Sequence, residues 1–230
     1  MDSSRRPFAA ALSASRRLAV IAEIKRRSPS KGDLDTSLDP SAVAREYEHG
    51  GAACLSVLTD APHFGGSPDD LHAARAATSL PVLRKDFTVS DADIFDAVLM
   101  GADAVLLIVA ALTDDELQRL HALATECGLA ALVEVHDEED LARALAAGAR
   151  MIGVNQRDLR TFKVDTHRAE RLAAGIPPGV IAVAESGITG PPDALRCAAA
   201  GYRAVLVGEH LVLSTDRAKS LSELQVALPS

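Results

Sequence analysis

The chain has 230 residues, 48% of them hydrophobic, with 3% aromatics, no tryptophan and a formal charge of −8 at pH 7. That length suits one α/β barrel or one doubly wound domain and is enough to bury a large aliphatic core. The acidity argues against a nucleic-acid binder, because the chain as a whole repels a phosphate backbone, and no apolar run approaches the roughly 20 residues of a membrane span.

Ser4-Arg5-Arg6-Pro7-Phe8 superficially mimics a twin-arginine export signal, but the apolar stretch after it is very short and Arg16 and Arg17 interrupt it. Phe8 and Leu12 stand four apart, which predicts a short amphipathic helix within an N-terminal extension of residues 1–17. Eight short apolar runs follow: Ala19–Ile24, Cys54–Leu58, Pro81–Leu83, Ala104–Val109, Ala130–Val135, Met151–Val154, Val180–Ala184 and Ala204–Val207. Strands this uniformly apolar are buried on both faces, as in a parallel sheet. Helix starts lie between them: Asp39-Pro40, Ser67-Pro68, Ser90-Asp91, Thr113-Asp114, Asp137-Glu138 and Thr189 ahead of Pro191-Pro192. Glycines at 50–51, 101, 148 and 201 end four helices shortly before the next run. His136 reads as a loop or helix-start residue. The stretch after Ser214 needs only an apolar face to serve as a closing helix.

The period is roughly 25–30 residues and no linker interrupts it, which predicts one domain over residues 1–230, a (βα)8 TIM barrel with a short N-terminal helix. A flavodoxin-like or Rossmann sheet is the runner-up; it normally needs fewer strands, and no GxGxxG follows the first run. Cys54, Cys127 and Cys197 are too far apart for a disulfide framework or a zinc site and read as buried thiols in a reducing compartment, hence a cytoplasmic protein. The seven histidines form no HxH or HExxH pair, so no metal is expected.

Catalytic groups of such barrels come from the C-terminal ends of the strands. The polar residues closing the runs are therefore the candidates. They are Glu23 and Lys25 with Ser28–Gly32, Ser56 and Thr59, Arg84-Lys85-Asp86-Phe87, Glu134, Asn155 and Arg157, Glu185-Ser186-Gly187, and Gly208-Glu209. A charge at the end of a buried strand is costly unless paired, so convergence on one active site competes with an internal salt-bridge layer that does no chemistry. Arg84, Asp86 and Arg157 are individually compatible with structural pairing. The glycines at 187 and 208 sit where barrels often bind phosphate through backbone N–H groups, or they merely permit tight turns. Lysines beside glutamates suit acid–base chemistry on a carbonyl. Composition and spacing lead as far as a phosphate-binding barrel with Lys/Glu chemistry and name no reaction.

Beyond that point the chain resembles the indole-3-glycerol-phosphate synthases, from about Phe8 to about Leu213. The stretches that carry the resemblance are Ile21–Lys25 with Ser28–Gly32, Leu58-Thr59-Asp60 with Phe64–Ser67, Leu83–Phe87, Leu132–Val135, Gly153-Val154-Asn155 with Arg157-Asp158-Leu159, Ala184–Ile188 and Val207-Gly208-Glu209. The resemblance implies closure of an anthranilate-derived aminodeoxyribulose phosphate to indole-3-glycerol phosphate, with loss of carbon dioxide and water and no metal or organic cofactor. It implies Lys85 as general acid, Lys25 as a second cation, Glu134 as the later acid/base, and Glu23, Asn155, Glu185 and Ser186 as groups that bind hydroxyls and hold the lysines. Ser28, Gly187, Gly208 and the Glu209 amide are implied as phosphate and loop contacts, Phe64 and Phe87 as flanks of the aromatic ring, and Arg157 as a support behind them. The family carries a longer N-terminal extension that folds against the catalytic face, and the Phe8–Leu12 helix is expected to be its remnant. The expected partner is a phosphorylated small molecule, with no nucleic acid and no membrane, bound by a monomer. A phosphoribosylanthranilate isomerase would be expected to show a Cys and an Asp at barrel positions, and a truncated anion-binding paralogue would have lost part of the set.

Overall fold

The computed structural model describes residues 5–158 and 161–229; Ser4 of the arginine motif and Leu159 lie outside the described residues. Eight strands form one closed parallel barrel: β1 (Ala19–Ile24), β2 (Cys54–Leu58), β3 (Val82–Lys85), β4 (Ala104–Ile108), β5 (Ala130–Val135), β6 (Met151–Asn155), β7 (Ile181–Glu185) and β8 (Ala204–Val207). Each pairs with its chain neighbour, and β8 returns to β1 with Ala19 opposite Ala204. The sheet closes, so the doubly wound alternative falls. Three strands run further than their apolar stretches. Lys85, Asn155 and Glu185 are the last residues of β3, β6 and β7, because ladder hydrogen bonds continue where hydrophobicity stops.

The helices follow their start signals. Asp39 caps α2 (Pro40–His49), Ser67 caps α4 (Pro68–Ala77), Thr113 caps α6 (Asp114–Glu126) and Asp137 caps α7 (Glu138–Ala146), each accepting a backbone N–H of the first turn. α1 is Phe8–Ser13, α3 the short turn Ala61–Phe64, and α5 Asp91–Leu99, where Asp93 accepts from the Ser90 backbone N–H and hydroxyl. α8 (Arg168–Ala173) had no clear start signal; α9 (Pro191–Ala199), α10 (Glu209–Val212) and α11 (Arg217–Leu224) complete the ring. The start of α9 needs a correction. Gly190 is the flanking residue, and Thr189 instead donates its N–H and hydroxyl to Asp193, both at 2.7 Å. Among the described residues, no helix is long and apolar enough to cross a membrane.

Alternation along the strands divides the apolar residues into two cores. Val20, Leu55, Leu107 and Val133 face the helices, with Leu71, Ile94, Leu117 and Leu141 packed over them. Ile21, Cys54, Leu83, Leu106, Leu132, Met151, Val183 and Leu206 fill the barrel. Each fully buried Leu or Ile contributes about 1.5–3 kcal/mol of transfer free energy.

The expected N-terminal helix is present, but it is not on the catalytic face. Phe8 and Leu12 join the interior core with Ala19, Cys54, Ala104 and Ala204, residues at or near the strand starts. The chain ahead of α1 is anchored at the same end: the Arg5 guanidinium donates to the Ala102 carbonyl, and Arg6 to the carbonyls of Leu80 and Arg75. The physical reason is that the starts of β1, β2, β4 and β8 offer only Ala or Cys side chains, leaving space that a Phe and a Leu can fill.

Candidate active site

The two-residue period that sorts the cores also aims the charges. Ala19, Ile21 and Glu23 share the inner face of β1, Leu83 and Lys85 that of β3, Leu132 and Glu134 that of β5, and Val183 and Glu185 that of β7. Sheet register brings them to one level: Glu23 lies opposite Ser56, Ile108 opposite Glu134, and Asn155 opposite Glu185. Glu23, Glu134, Asn155 and Glu185 are buried.

At that level the lysines are held by carboxylates. Lys85 Nζ lies 2.7 Å from Glu185 Oε2 and 3.2 Å from Glu134 Oε2, while Lys25 Nζ lies 2.7 Å from Glu23 Oε1. Asn155 Nδ2 donates to Glu134 Oε1 at 3.1 Å, and the Ser56 hydroxyl donates to Glu23 Oε2 at 3.4 Å. Burial opposes the charge of Lys85, but Glu185, Glu134 and Glu23 overcome it and raise its pKa above the ordinary lysine value. Burial likewise opposes the charge of Glu134, and Lys85 and His136 hold it below the usual carboxylate range. Glu23 is also low, its burial outweighed by Lys25 and Lys85. Glu185 goes the other way: burial, together with the neighbouring Glu134, pushes it up to about 7 against the pull of Lys85. Three buried carboxylates facing two ammonium groups cannot all be ionised without cost, and Glu185 is the one that gives way.

Two glycines make room for this layer. A Cβ on Gly153 would stand 2.0 Å from Glu185 Oε1, and one on Gly208 would stand 2.4 Å from Glu23 Oε1 and 2.9 Å from Lys25 Nζ. Gly208 therefore does more than permit a turn.

The layer floors a cavity of about 930 Å³ at the C-terminal mouth. The residues to which the family resemblance gives a role line it: Glu23, Lys25, Ser28, Phe64, Lys85, Phe87, Glu134, Asn155, Arg157, Glu185, Ser186, Gly187, Gly208 and Glu209; of the other strand-end candidates, Ser56, Thr59 and Arg84 do not. Ser186 and Gly187 both have positive φ, 65° and 72°, so the turn after β7 bends its backbone back over the cavity. Gly208 leads into the turn α10 beside it. Arg157 stands behind: its guanidinium donates to the Phe162 carbonyl and its backbone N–H to Asn155 Oδ1. Arg84 points outward, to Thr59, the Asp93 carbonyl and Asp86, and is structural. Sequence reasoning missed Leu106, Ile108 and Leu206, which give the floor an apolar sector; Lys31, within the candidate stretch Ser28–Gly32 but given no role there, lies at the rim with its Nζ 3.5 Å from Glu209 Oε1. Counting in twos from Ala104 would have found the β4 pair.

A polar rim, an apolar sector and a Lys/Glu floor in one cavity suit a polar, partly aromatic substrate. The chain matches the family described as indole-3-glycerol phosphate synthase over residues 1–224. The chain belongs to that family. Relatives in it are 57% identical over 86% of this chain and 76% of the relative, from Nocardioides sp., and 53% identical over 92% and 79%, from Parafrankia sp.; both are named indole-3-glycerol phosphate synthase. A solved thiamine phosphate pyrophosphorylase from Pyrococcus furiosus superposes with a TM-score of 0.66 at 17% identity, over 91% of this chain and 94% of that one, a likeness of fold. Indole-3-glycerol phosphate synthases are carboxy-lyases of tryptophan biosynthesis, and a phosphorylated small molecule is the substrate that goes with that identity.

Proposed function

We propose that the cavity closes the indole ring through Lys85, with the other charged residues of the floor in fixed supporting roles. The observation that carries this reading is the Lys85 ammonium clamped between Glu134 and Glu185 at the centre of the cavity. The ring carbon bearing the carboxylate of 1-(2-carboxyphenylamino)-1-deoxyribulose 5-phosphate attacks the sugar carbonyl. Lys85 gives its proton to the carbonyl oxygen, which becomes a hydroxyl. A lysine with a raised pKa suits this step, since it keeps its proton until the oxygen turns into a basic alkoxide. The carbon–carboxylate bond then breaks, carbon dioxide leaves, and its electron pair restores the aromatic ring. Finally Lys25 gives a proton to the hydroxyl, which departs as water, and Glu134 takes a proton from the carbon beside the nitrogen, giving the indole double bond.

Lys25, held by Glu23, meets the substrate carboxylate and assists departure of the hydroxyl. Glu185, near neutrality in its pKa, returns a proton to Lys85 between turnovers. Asn155 orients Glu134, and Ser186 binds a substrate hydroxyl. Ser28, Gly187, Gly208 and the Glu209 amide receive the phosphate. Phe64 and Phe87 flank the anthranilate ring, with Leu106 and Ile108 beneath it. We further propose that the chain works as a single cytoplasmic domain and as a monomer, without nucleic-acid partners; its acidity disfavours a phosphate backbone, and its free thiols fit a reducing compartment.

The test is turnover of the carboxyphenylamino-deoxyribulose phosphate with EDTA present, followed by indole fluorescence, with Lys85→Ala alongside. Product formation abolished by the substitution is the expected result. Turnover that survives it removes Lys85 as the acid. Substrate that protects the wild type against heat but is not turned over leaves an anion-binding barrel.

A further inference from the structure

His136 follows β5 directly and is not among the residues lining the cavity. Its side chain is 13% exposed, and among the described residues neither ring nitrogen has a well-aligned hydrogen-bond partner. Each instead faces a carboxylate: Nε2 lies 3.5 Å from Glu134 Oε1, and Nδ1 lies 3.5 Å from Asp140 Oδ2. Asp140 is itself fixed, because its carboxylate accepts the His136 backbone N–H at 3.0 Å and its own N–H donates to Asp137 at the start of α7. A row therefore runs from the cavity into the wall, Lys85, Glu134, His136, Asp140, in which every neighbour of a carboxylate is a nitrogen group.

An imidazole buried between two carboxylates satisfies both only as the imidazolium, with an N–H on each side. Among the described residues, the charged groups facing the ring come from the elements around it. Glu134 from β5 and Asp140 from α7 favour the charged form, while Arg168 from α8 disfavours it. Arg143 of α7 sits behind Asp140 at 3.8 Å, and Lys85 of β3 lies beyond Glu134. Burial disfavours the charge as well, yet the carboxylates prevail and the His136 pKa stands above its ordinary value.

We propose that His136, seated as an imidazolium between Glu134 and Asp140, is a positioning residue that fixes Glu134 against Lys85 and sets the lower pH limit of turnover. It touches no substrate and acts through Glu134. The inference rests on the reading of Glu134 as the acid/base group. Below the pH at which Glu134 takes a proton, that base is lost; a cation beside it delays the loss. Removing the cation brings it earlier as pH falls.

The experiment is the pH profile of kcat for the full chain with its natural substrate, in wild type, His136→Gln and Asp140→Asn, together with the titration of the His136 ring by NMR. In His136→Gln the acid limb should move up by about one pH unit or more. At its optimum kcat should fall roughly tenfold with KM held within about twofold, since nothing that contacts substrate is removed. Asp140→Asn, which keeps the ring but removes one counter-charge, should shift the limb in the same direction by less, and it serves where His136→Gln folds poorly. In the wild type the ring should titrate above the ordinary histidine range, and Glu134→Gln should lower that midpoint whatever it does to activity. Profiles of both His136→Gln and Asp140→Asn that superimpose on wild type, or a ring midpoint at or below the ordinary range, overturn the inference. Full turnover in Glu134→Gln would instead sink the acid/base reading of Glu134 while leaving the ring titration to report on the contact itself.

Discussion

The two mouths of the barrel are built from the same eight strands and have opposite characters. At the strand starts, Ala19, Cys54, Ala104 and Ala204 meet Phe8 and Leu12, and the end is closed by apolar packing. At the strand ends, the same inward positions carry Glu23, Lys85, Glu134, Asn155 and Glu185 under an open cavity. Charge at the closed mouth lies beside the strands and is locally paired: Arg6 donates to backbone carbonyls, and the buried Asp103 pairs with Arg75 and accepts the Arg6 and Val82 backbone N–H groups. The contrast teaches a division of labour: one end supplies stability that the other spends on holding buried charges.

The sharpest way to break that division is Lys85→Ala. Turnover by indole fluorescence should fall about a thousandfold or more, a loss confined to the open mouth. Gly153→Ala should come next. Its Cβ would collide with Glu185 Oε1, so Glu185 must move off Lys85, and kcat/KM should fall about tenfold or more. At the closed mouth, Leu12→Ala should cost about 2–5 kcal/mol in denaturant unfolding while leaving kcat within about twofold. A large loss of kcat there would show that the two mouths are not independent.

The pH dependence of stability sharpens the comparison further. Glu185 binds its proton more tightly folded than unfolded, its pKa rising from 4.5 to about 7. Its contribution to stability is therefore present below the unfolded value and lost as pH rises through about 7. Glu185→Gln removes that loss, so its urea midpoint relative to wild type should climb between pH 5 and pH 8. A constant difference across that range would mean that Glu185 is ionised throughout. The smallest effect should be Lys31→Ala at the rim, where an exposed pair with Glu209 at 3.5 Å contributes at most about 1 kcal/mol.

Much of this was legible in the residues. Asp39, Ser67, Thr113 and Asp137 cap helices because short polar side chains satisfy first-turn N–H groups, a purely local interaction. The polar ends of the apolar runs pointed to one mouth because alternation and strand direction are local as well. Less legible were His136, which reads as a loop residue until β5 and α7 are folded against each other, and Leu106 and Ile108, which look like any other buried pair. The N-terminal helix was legible as a helix from Phe8 and Leu12, but which mouth it would close was not.

By itself, the sequence determined the order of strands and helices, the caps that bound them and the set of charged residues at the strand ends. All of these follow from interactions within about a dozen residues of chain. Only the tertiary structure decided that Lys85 would be shared by Glu134 and Glu185, partners 49 and 100 residues away, and that Gly153 and Gly208 must leave space for carboxylates. Closure of the sheet sets those distances, and burial beside Glu134, a property of the assembled barrel, pushes the Glu185 carboxyl up to about 7.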